Sequence, residues 1–308
     1  MHNFKNYITI SLLFVVVLVV NNVFASGEGI AVLYPDIREP YRSVFTNIID
    51  GVKDTIGNDV HTLAIKKGET SANISDWLKK HKIEGIIALG SRSQKLVAKS
   101  TVQNKIVGAI TNPRKDNAFN AGVLLTPNPH KVFEKLNSLV PGIKYIYAVY
   151  SEENSGWYIE LAKKAAESQG IDLVAIKSES KKESLLHYKS ILDNKINKES
   201  AVWLLQDPLS SDSKLILPMV LAEAWDKKIP VISNKAGYVE RGALLALYPD
   251  HFELGISLSN MLLDNTNNDQ IYLPFSKALY AVNTRTADHL DLGWTRKTKR
   301  SIDLVFPK

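Results

Sequence analysis

The chain has 308 residues, 45% of them hydrophobic, which suits two packed lobes of roughly 100–150 residues each and is too apolar for a disordered chain. Its 38 Lys and Arg against 32 Asp and Glu leave a net charge of +6, spread too thinly to form a nucleic-acid-binding face. Cysteine is absent, which excludes disulfides, thiolate metal sites, a cysteine nucleophile and a lipid-anchoring cysteine.

Residues 1–25 have the order of a secretory signal peptide. Lys5 supplies the positive start, Ile8 to Val20 is an apolar run without charge, and Val23-Phe24-Ala25 offers small residues for cleavage before Ser26. The apolar run is shorter than the ~20 residues a membrane span prefers. A strand is then predicted over 30–34, and a helix over 41–56 with Val44, Phe45, Ile48, Ile49 and Val52 at helical spacing. A strand over 60–65 leads to a helix over 71–81, capped at Ser71 and carrying Ile74, Trp77 and Leu78 on one face. A buried strand over 85–89, a helix over 93–99 and strands over 106–110 and 122–125 complete a first set.

The second set opens with a helix over 130–139 and a strand over 145–150. A helix over 157–168 stops at Gly170, and a strand over 173–176 and a helix over 185–196 follow. Next come a strand over 201–205, a helix over 213–225 bent by Pro218, and strands over 231–233 and 243–248. Helices between strands imply parallel sheets with right-handed crossovers, buried on both faces. The fold class is therefore α/β with two lobes, each a mostly parallel sheet flanked by helices, and a ligand cleft between them. A late helix over 252–263 is expected to return to the first lobe, and a last strand over 279–283 to cross to the second. The N-terminal lobe then comprises 26–126 with about 249–277, and the C-terminal lobe 127–248 with about 278–308, joined by several crossings as a hinge.

Ligands bind outside the carboxyl ends of strands in open parallel sheets, so the loops leaving those ends are the candidates. In the first lobe these hold Tyr34, then Ser91, Arg92 and Ser93 after Gly90, then Thr111 and Asn112. In the second they hold Asn154, Ser155 and Gly156, then Gln206 and Asp207, then Asn234. Gly90-Ser91-Arg92-Ser93 is a tight turn into a helix, where free backbone N–H groups and the helix dipole favour an anion such as a carboxylate; helix capping by the two serines is the competing role. Asn154-Ser155-Gly156 repeats the design. Asp207 suits a ligand ammonium or a helix cap, and Tyr34 a ligand ring or core packing.

Enzyme signatures fail one by one. A glycine-rich phosphate loop, a dinucleotide fingerprint and a GxSxG elbow are all missing, and the histidines lack metal-ligand spacing. Adjacent Glu152 and Glu153 are poorly placed for separate acid and base roles. The one dense basic run, Arg296-Lys297-Thr298-Lys299-Arg300, reads as a solvated terminal segment. The chain is expected to bind a small solute without catalysis, cofactor or metal.

Ile229-Pro230-Val231, then Val239-Glu240-Arg241-Gly242-Ala243-Leu244-Leu245-Ala246, Pro249-Asp250 and Glu253-Leu254-Gly255 resemble the bacterial ABC-transporter substrate-binding family that includes tryptophan- and tyrosine-binding members. Ile86-Ile87-Ala88-Leu89-Gly90-Ser91 and Gly142-Ile143-Lys144-Tyr145-Ile146 match its strand ends, and Asp207 falls on the aspartate of its P-T-D-N turn. The resemblance covers nearly all of the chain after residue 25 and implies the type I periplasmic binding protein fold. It also implies a monomeric periplasmic protein that captures an amino acid or related small polar or aromatic molecule by lobe closure and hands it to an ABC permease in the inner membrane. A ligand-sensing module reporting to a membrane kinase or cyclase is the alternative. Two departures stand out: Ser233-Asn234-Lys235-Ala236 replaces the family's S-D-E-D, and Tyr34 replaces a frequent glutamine.

Overall fold

The computed structural model describes residues 29–113, 116, 118–264 and 271–308; the predicted signal segment lies outside the described residues. The first elements are β1 (Gly29–Pro35), α1 (Tyr41–Ile56), β2 (Val60–Ile65), α2 (Ser71–Lys80), β3 (Ile83–Leu89), α3 (Gly90–Val97), β4 (Asn104–Ile110) and β5 (Ala121–Pro127). They are followed by α4 (Pro129–Leu139), β6 (Tyr145–Tyr150), α5 (Glu152–Glu167), β7 (Asp172–Lys177), α6 (Lys181–Asn194), β8 (Ser200–Leu204), α7 (Ile216–Asp226), β9 (Val231–Ser233), α8 (Ala236–Glu240) and β10 (Leu245–Pro249). The chain ends with α9 (His251–Leu263), β11 (Ile271–Phe275), β12 (Ala278–Asn283), α10 (Thr284–His289), α11 (Arg296–Arg300) and β13 (Leu304–Phe306).

One six-stranded sheet runs β11-β5-β4-β3-β1-β2 and one seven-stranded sheet runs β13-β12-β10-β9-β8-β6-β7. Every pairing in the first is parallel, and in the second only β10 with β12 is antiparallel. Each sheet is covered on both faces. In the first lobe Phe45, Ile48 and Val52 of α1 meet Leu254 and Leu258 of α9 over Val32 and Ile87, while Ile74 and Leu78 of α2 cover Ala31 and Ile86 on the other face. In the second, Phe133 and Ile159 lie against Ile146 and Trp203, and Tyr188, Leu217 and Val239 against Val149 and Val202. Each Val, Leu, Ile or Phe among them contributes about 1.5–3 kcal/mol on leaving water, which is why these apolar-periodic segments fold as they do.

The chain crosses between the lobes at three described places. Asn128 caps α4 by accepting from the His130 N–H at 3.0 Å, and α4 packs on the second sheet. Asp250 caps α9, accepting from Phe252 and Glu253 N–H at 3.1 and 3.2 Å, and α9 returns to the first sheet. The third crossing runs from β11 to β12, and its backbone ties the other two: Asn128 N–H donates to Phe275 O at 2.8 Å and Asp250 N–H to Lys277 O at 3.3 Å.

Several local expectations differ from the structure. The α2 cap is Thr70, whose hydroxyl accepts from Asn73 N–H at 3.3 Å, rather than Ser71. Pro218 does not bend α7: it is the third residue of that helix, where its missing N–H is one the first turn leaves unpaired anyway. α8, α10, α11, β11 and β13 had no predicted counterpart, because segments of three to six residues carry too few positions for a period to show.

His251, the first residue of α9, is half-buried, and that burial pushes its imidazole below the usual histidine range against the weaker pull of Asp250. The unfolded chain takes the proton at about 6.5, the folded chain only at lower pH. Stability held above that pH is therefore lost as pH falls through it. Thermal midpoints measured from pH 7 to 5 are expected to fall, and His251→Gln is expected to remove part of that slope; an unchanged slope would mean other groups dominate.

Candidate functional site

β3 and β4 run side by side, with Leu89 opposite Gly108, so the chain leaves both strands at the same edge. Gly90 turns the chain directly into α3 at φ +75°, a conformation that glycine adopts without a Cβ clash. Ala109 takes φ +54° at a bulge in β4, where the register against β5 shifts, and this re-aims Thr111 and Asn112. The Thr126 hydroxyl holds the new path by donating to Thr111 O at 2.8 Å. Ser91, Gln94, Ala109, Ile110, Thr111 and Asn112 together line a cavity of about 300 Å³.

The structure thus brings together the predicted Ser91, Thr111 and Asn112. It does not bring Arg92 and Ser93 into that cavity. The Arg92 guanidinium donates to the Lys66 carbonyl, and Ser93 is fully buried on the inner face of α3 with its hydroxyl unpartnered. The serines do not cap either: α3 starts at Gly90, three residues earlier than expected, and its N-cap position is Leu89, whose hydrocarbon side chain cannot accept a hydrogen bond. Tyr34 is given to packing, its ring stacked on Phe45 at 6.2 Å.

In the second lobe Ala148 of β6 lies opposite Trp203 of β8, and Leu204 opposite Ser233 of β9. The three strand exits therefore converge on one edge. Here α5 begins at Glu152, about one turn earlier than predicted, so Asn154, Ser155 and Gly156 belong to its first turns rather than to a preceding loop. Gly156 leaves room for the Glu152 carboxylate, which a Cβ at that position would meet at 2.3 Å. Half-buried Gln206 sits at the same edge.

Asp207 is fully buried, and both carboxylate oxygens are taken. Oδ2 accepts from Ser151 N–H and Oγ at 2.8 Å each and from Ser155 Oγ at 2.9 Å; Oδ1 accepts from Leu209 and Ser210 N–H at 2.9 and 3.2 Å. Five donors saturate the lone pairs a carboxylate offers, so the group serves the fold here and has none left for a ligand ammonium. Because Ser151 spends its hydroxyl on Asp207, the N-terminus of α5 has no side-chain cap, like that of α3. Asn234 is engaged through one atom only: its Oδ1 accepts the Trp203 indole N–H at 2.9 Å, while its buried NH₂ has no hydrogen-bond partner.

The two edges meet. With its amide nitrogen turned toward the second lobe, Asn112 donates to Thr111 O and to Asn154 O, both at 3.1 Å. Trp157 of α5, outside the predicted set, packs against the cores of both lobes and buries an unpartnered indole N–H. Its one sequence signal was a large aromatic beside Asn154-Ser155-Gly156 near a strand exit. Tyr158 follows it and donates to Pro127 O, across the first crossing, at 2.7 Å.

A family model for ABC transporter substrate binding proteins matches residues 43–265. Among solved structures, a substrate-binding protein with adhesive properties from Clostridium difficile, in ligand-free, open form, is 19% identical with a TM-score of 0.64, covering 90% of this chain and 98% of its own. An ABC domain from Streptococcus pneumonia in complex with L-Trp is 20% identical with a TM-score of 0.54, covering 91% of this chain and 100% of its own. A conserved domain protein from Vibrio cholerae gives 17% identity and a TM-score of 0.52 over 91% of this chain and 99% of its own. No curated protein matches the sequence. The two parallel-sheet lobes are the type I periplasmic binding protein fold, and the family binds its substrates rather than transforming them. The chain, two such lobes meeting at their strand exits, belongs to the ABC transporter substrate-binding protein family.

Proposed function

We propose that this chain is the periplasmic solute-binding component of an ABC-type uptake system, exported by the segment 1–25, and that it captures one small polar or aromatic molecule of amino-acid size by closing its lobes. The two lobes are taken as 26–126 with 249–277 and 127–248 with 278–308, hinged at the three crossings, and the monomer hands its solute to a permease in the inner membrane. What carries the reading is the approach of Asn112 to Asn154 beside the cavity of about 300 Å³ at the first lobe's strand exits. Polar groups from both lobes there can bridge one solute, and a solute that bridges them favours the closed state by its differential affinity. Ser91, Thr111 and Asn112 hold it from one side. Asn154, Gln206 and Asn234 hold it from the other, with the uncapped first turn of α3 nearby for an acidic group.

A screen of amino acids, nucleobases, organic acids and sugars by thermal shift checks this. A ligand at ~100 times its Kd contributes about 2.7 kcal/mol, expected to raise the midpoint by several degrees, and X-ray scattering should show a smaller radius with it bound. Ser91→Trp, which fills the cavity from an exposed position, is expected to abolish the response without lowering the ligand-free midpoint. A response that survives Ser91→Trp places the ligand elsewhere.

A further inference from the structure

Lys235 leaves β9 directly at the strand exits of the second lobe, and its ammonium makes no ion pair among the described residues. Its Nζ stands 5.1 Å over the Tyr238 ring, a weak partner for a group drawn more than half out of water. Two carboxylates lie close enough to act on it, and neither is available. Asp207 is saturated by five donors. Asp212 is held by Lys181 at 2.6 Å and by Lys214 and Leu215 N–H at 2.9 and 2.8 Å, which keep its carboxyl down at about 2. Burial accordingly outweighs both and pushes the Lys235 ammonium below the usual lysine range. A half-buried cation without a counter-ion is costly, and a binding site is where such a cost is recovered when the ligand arrives.

The same edge offers little to a ligand cation. Asp207 has no lone pair left, the Asn234 carbonyl is bonded to Trp203, and Glu152 and Glu153 are solvent-exposed, where water screens their attraction. We propose that Lys235 is the counter-ion for an acidic group of the ligand, and that the cleft selects small organic carboxylates lacking an ammonium group over the corresponding zwitterionic amino acids. The uncapped N-terminus of α3, whose first turn carries no acidic residue, adds to the same preference. This rests on the solute-binding reading above and names the chemistry of its solute.

The test uses matched sets on the full mature protein: phenylalanine, 3-phenylpropionate and phenethylamine; leucine, 4-methylpentanoate and isopentylamine; glutamate, glutarate and 4-aminobutyrate. Calorimetry is expected to give the carboxylate of the best-fitting set at least about tenfold tighter binding than its amino acid. Lys235→Met is expected to weaken that carboxylate by about tenfold or more, while the ligand-free thermal midpoint stays level or rises because an unpaired buried charge is gone. Tighter binding of an amino acid or amine, or an unchanged carboxylate affinity in Lys235→Met, overturns the assignment of Lys235 and leaves the solute-binding role standing. Silence from these sets with a response to a sugar or nucleobase has the same meaning. Silence from every solute, these sets and the wider screen alike, sinks the binding role and the assignment together.

Discussion

Asp207→Ala is expected to destabilise the second lobe by at least about 3 kcal/mol, because it leaves buried donors without an acceptor. The carboxylate is fully buried and gathers Ser151, Ser155, Leu209 and Ser210, so it joins the start of α5 to the loop after β8. Asp207→Asn keeps the volume and still accepts at Oδ1, but it turns an NH₂ toward the Ser151 donors, so it should recover part of the loss and no more. Denaturant midpoints of the three proteins check the order wild type, Asn, Ala. Equal midpoints would show that the network adds nothing net. Ligand affinity should fall as well, since Asn154 rides on the same first turn, even though both carboxylate oxygens are taken up by protein donors.

Gly255→Ala is expected to be comparably damaging for a different reason. A Cβ at Gly255 would stand 2.1 Å from Ile48 O, and one at Gly51 would stand 2.0 Å from Phe252 O, so α1 and α9 cross with their backbones in contact. Neither carbonyl can rotate aside without breaking its own helix, so the helices must separate and the apolar contacts around Leu254 and Leu258 loosen. The cost is expected at about 1–3 kcal/mol or more, with Gly51→Ala similar and the double variant far from additive, because one separation relieves both clashes. Gly237→Ala is the control: it lies in α8, nothing stands within 4 Å of its Cβ, and the midpoint should hold or rise slightly. If Gly255→Ala behaves like that control, the helices are not in fixed backbone contact. Loss of this packing would also free the segment that brings the chain back to the first sheet, loosening the second and third crossings.

The expected helix over 41–56 and strands over 60–65, 145–150 and 231–233 coincide with α1, β2, β6 and β9. Apolar runs such as Ile86-Ile87-Ala88-Leu89 must be covered on both faces, and the spacing of Phe45, Ile48, Ile49 and Val52 leaves one helical face to cover them, so these elements are legible locally. Starts of helices were less so. α3 and α5 both begin early, because the first turn of a helix is polar when it faces a cleft and so lacks the apolar period that marks the rest.

The sequence alone determined the alternation of strands and helices, the two-lobed class and the family, because each rests on residues close together in the chain. Only the tertiary structure decided what the polar residues at the strand exits do. Asp207 meets Ser151 and Ser155 across 56 and 52 positions, Asn112 meets Asn154 from the other lobe, and Trp157 packs on both cores. Lys235 is left without an anion for the same reason: the two carboxylates that act on it are committed elsewhere, Asp207 to Ser151 and Ser155 and Asp212 to Lys181, partners distant in the chain. Hydrogen-bond partners are assigned when separate strand ends converge, and that convergence is a property of sheet order, which local periodicity does not encode.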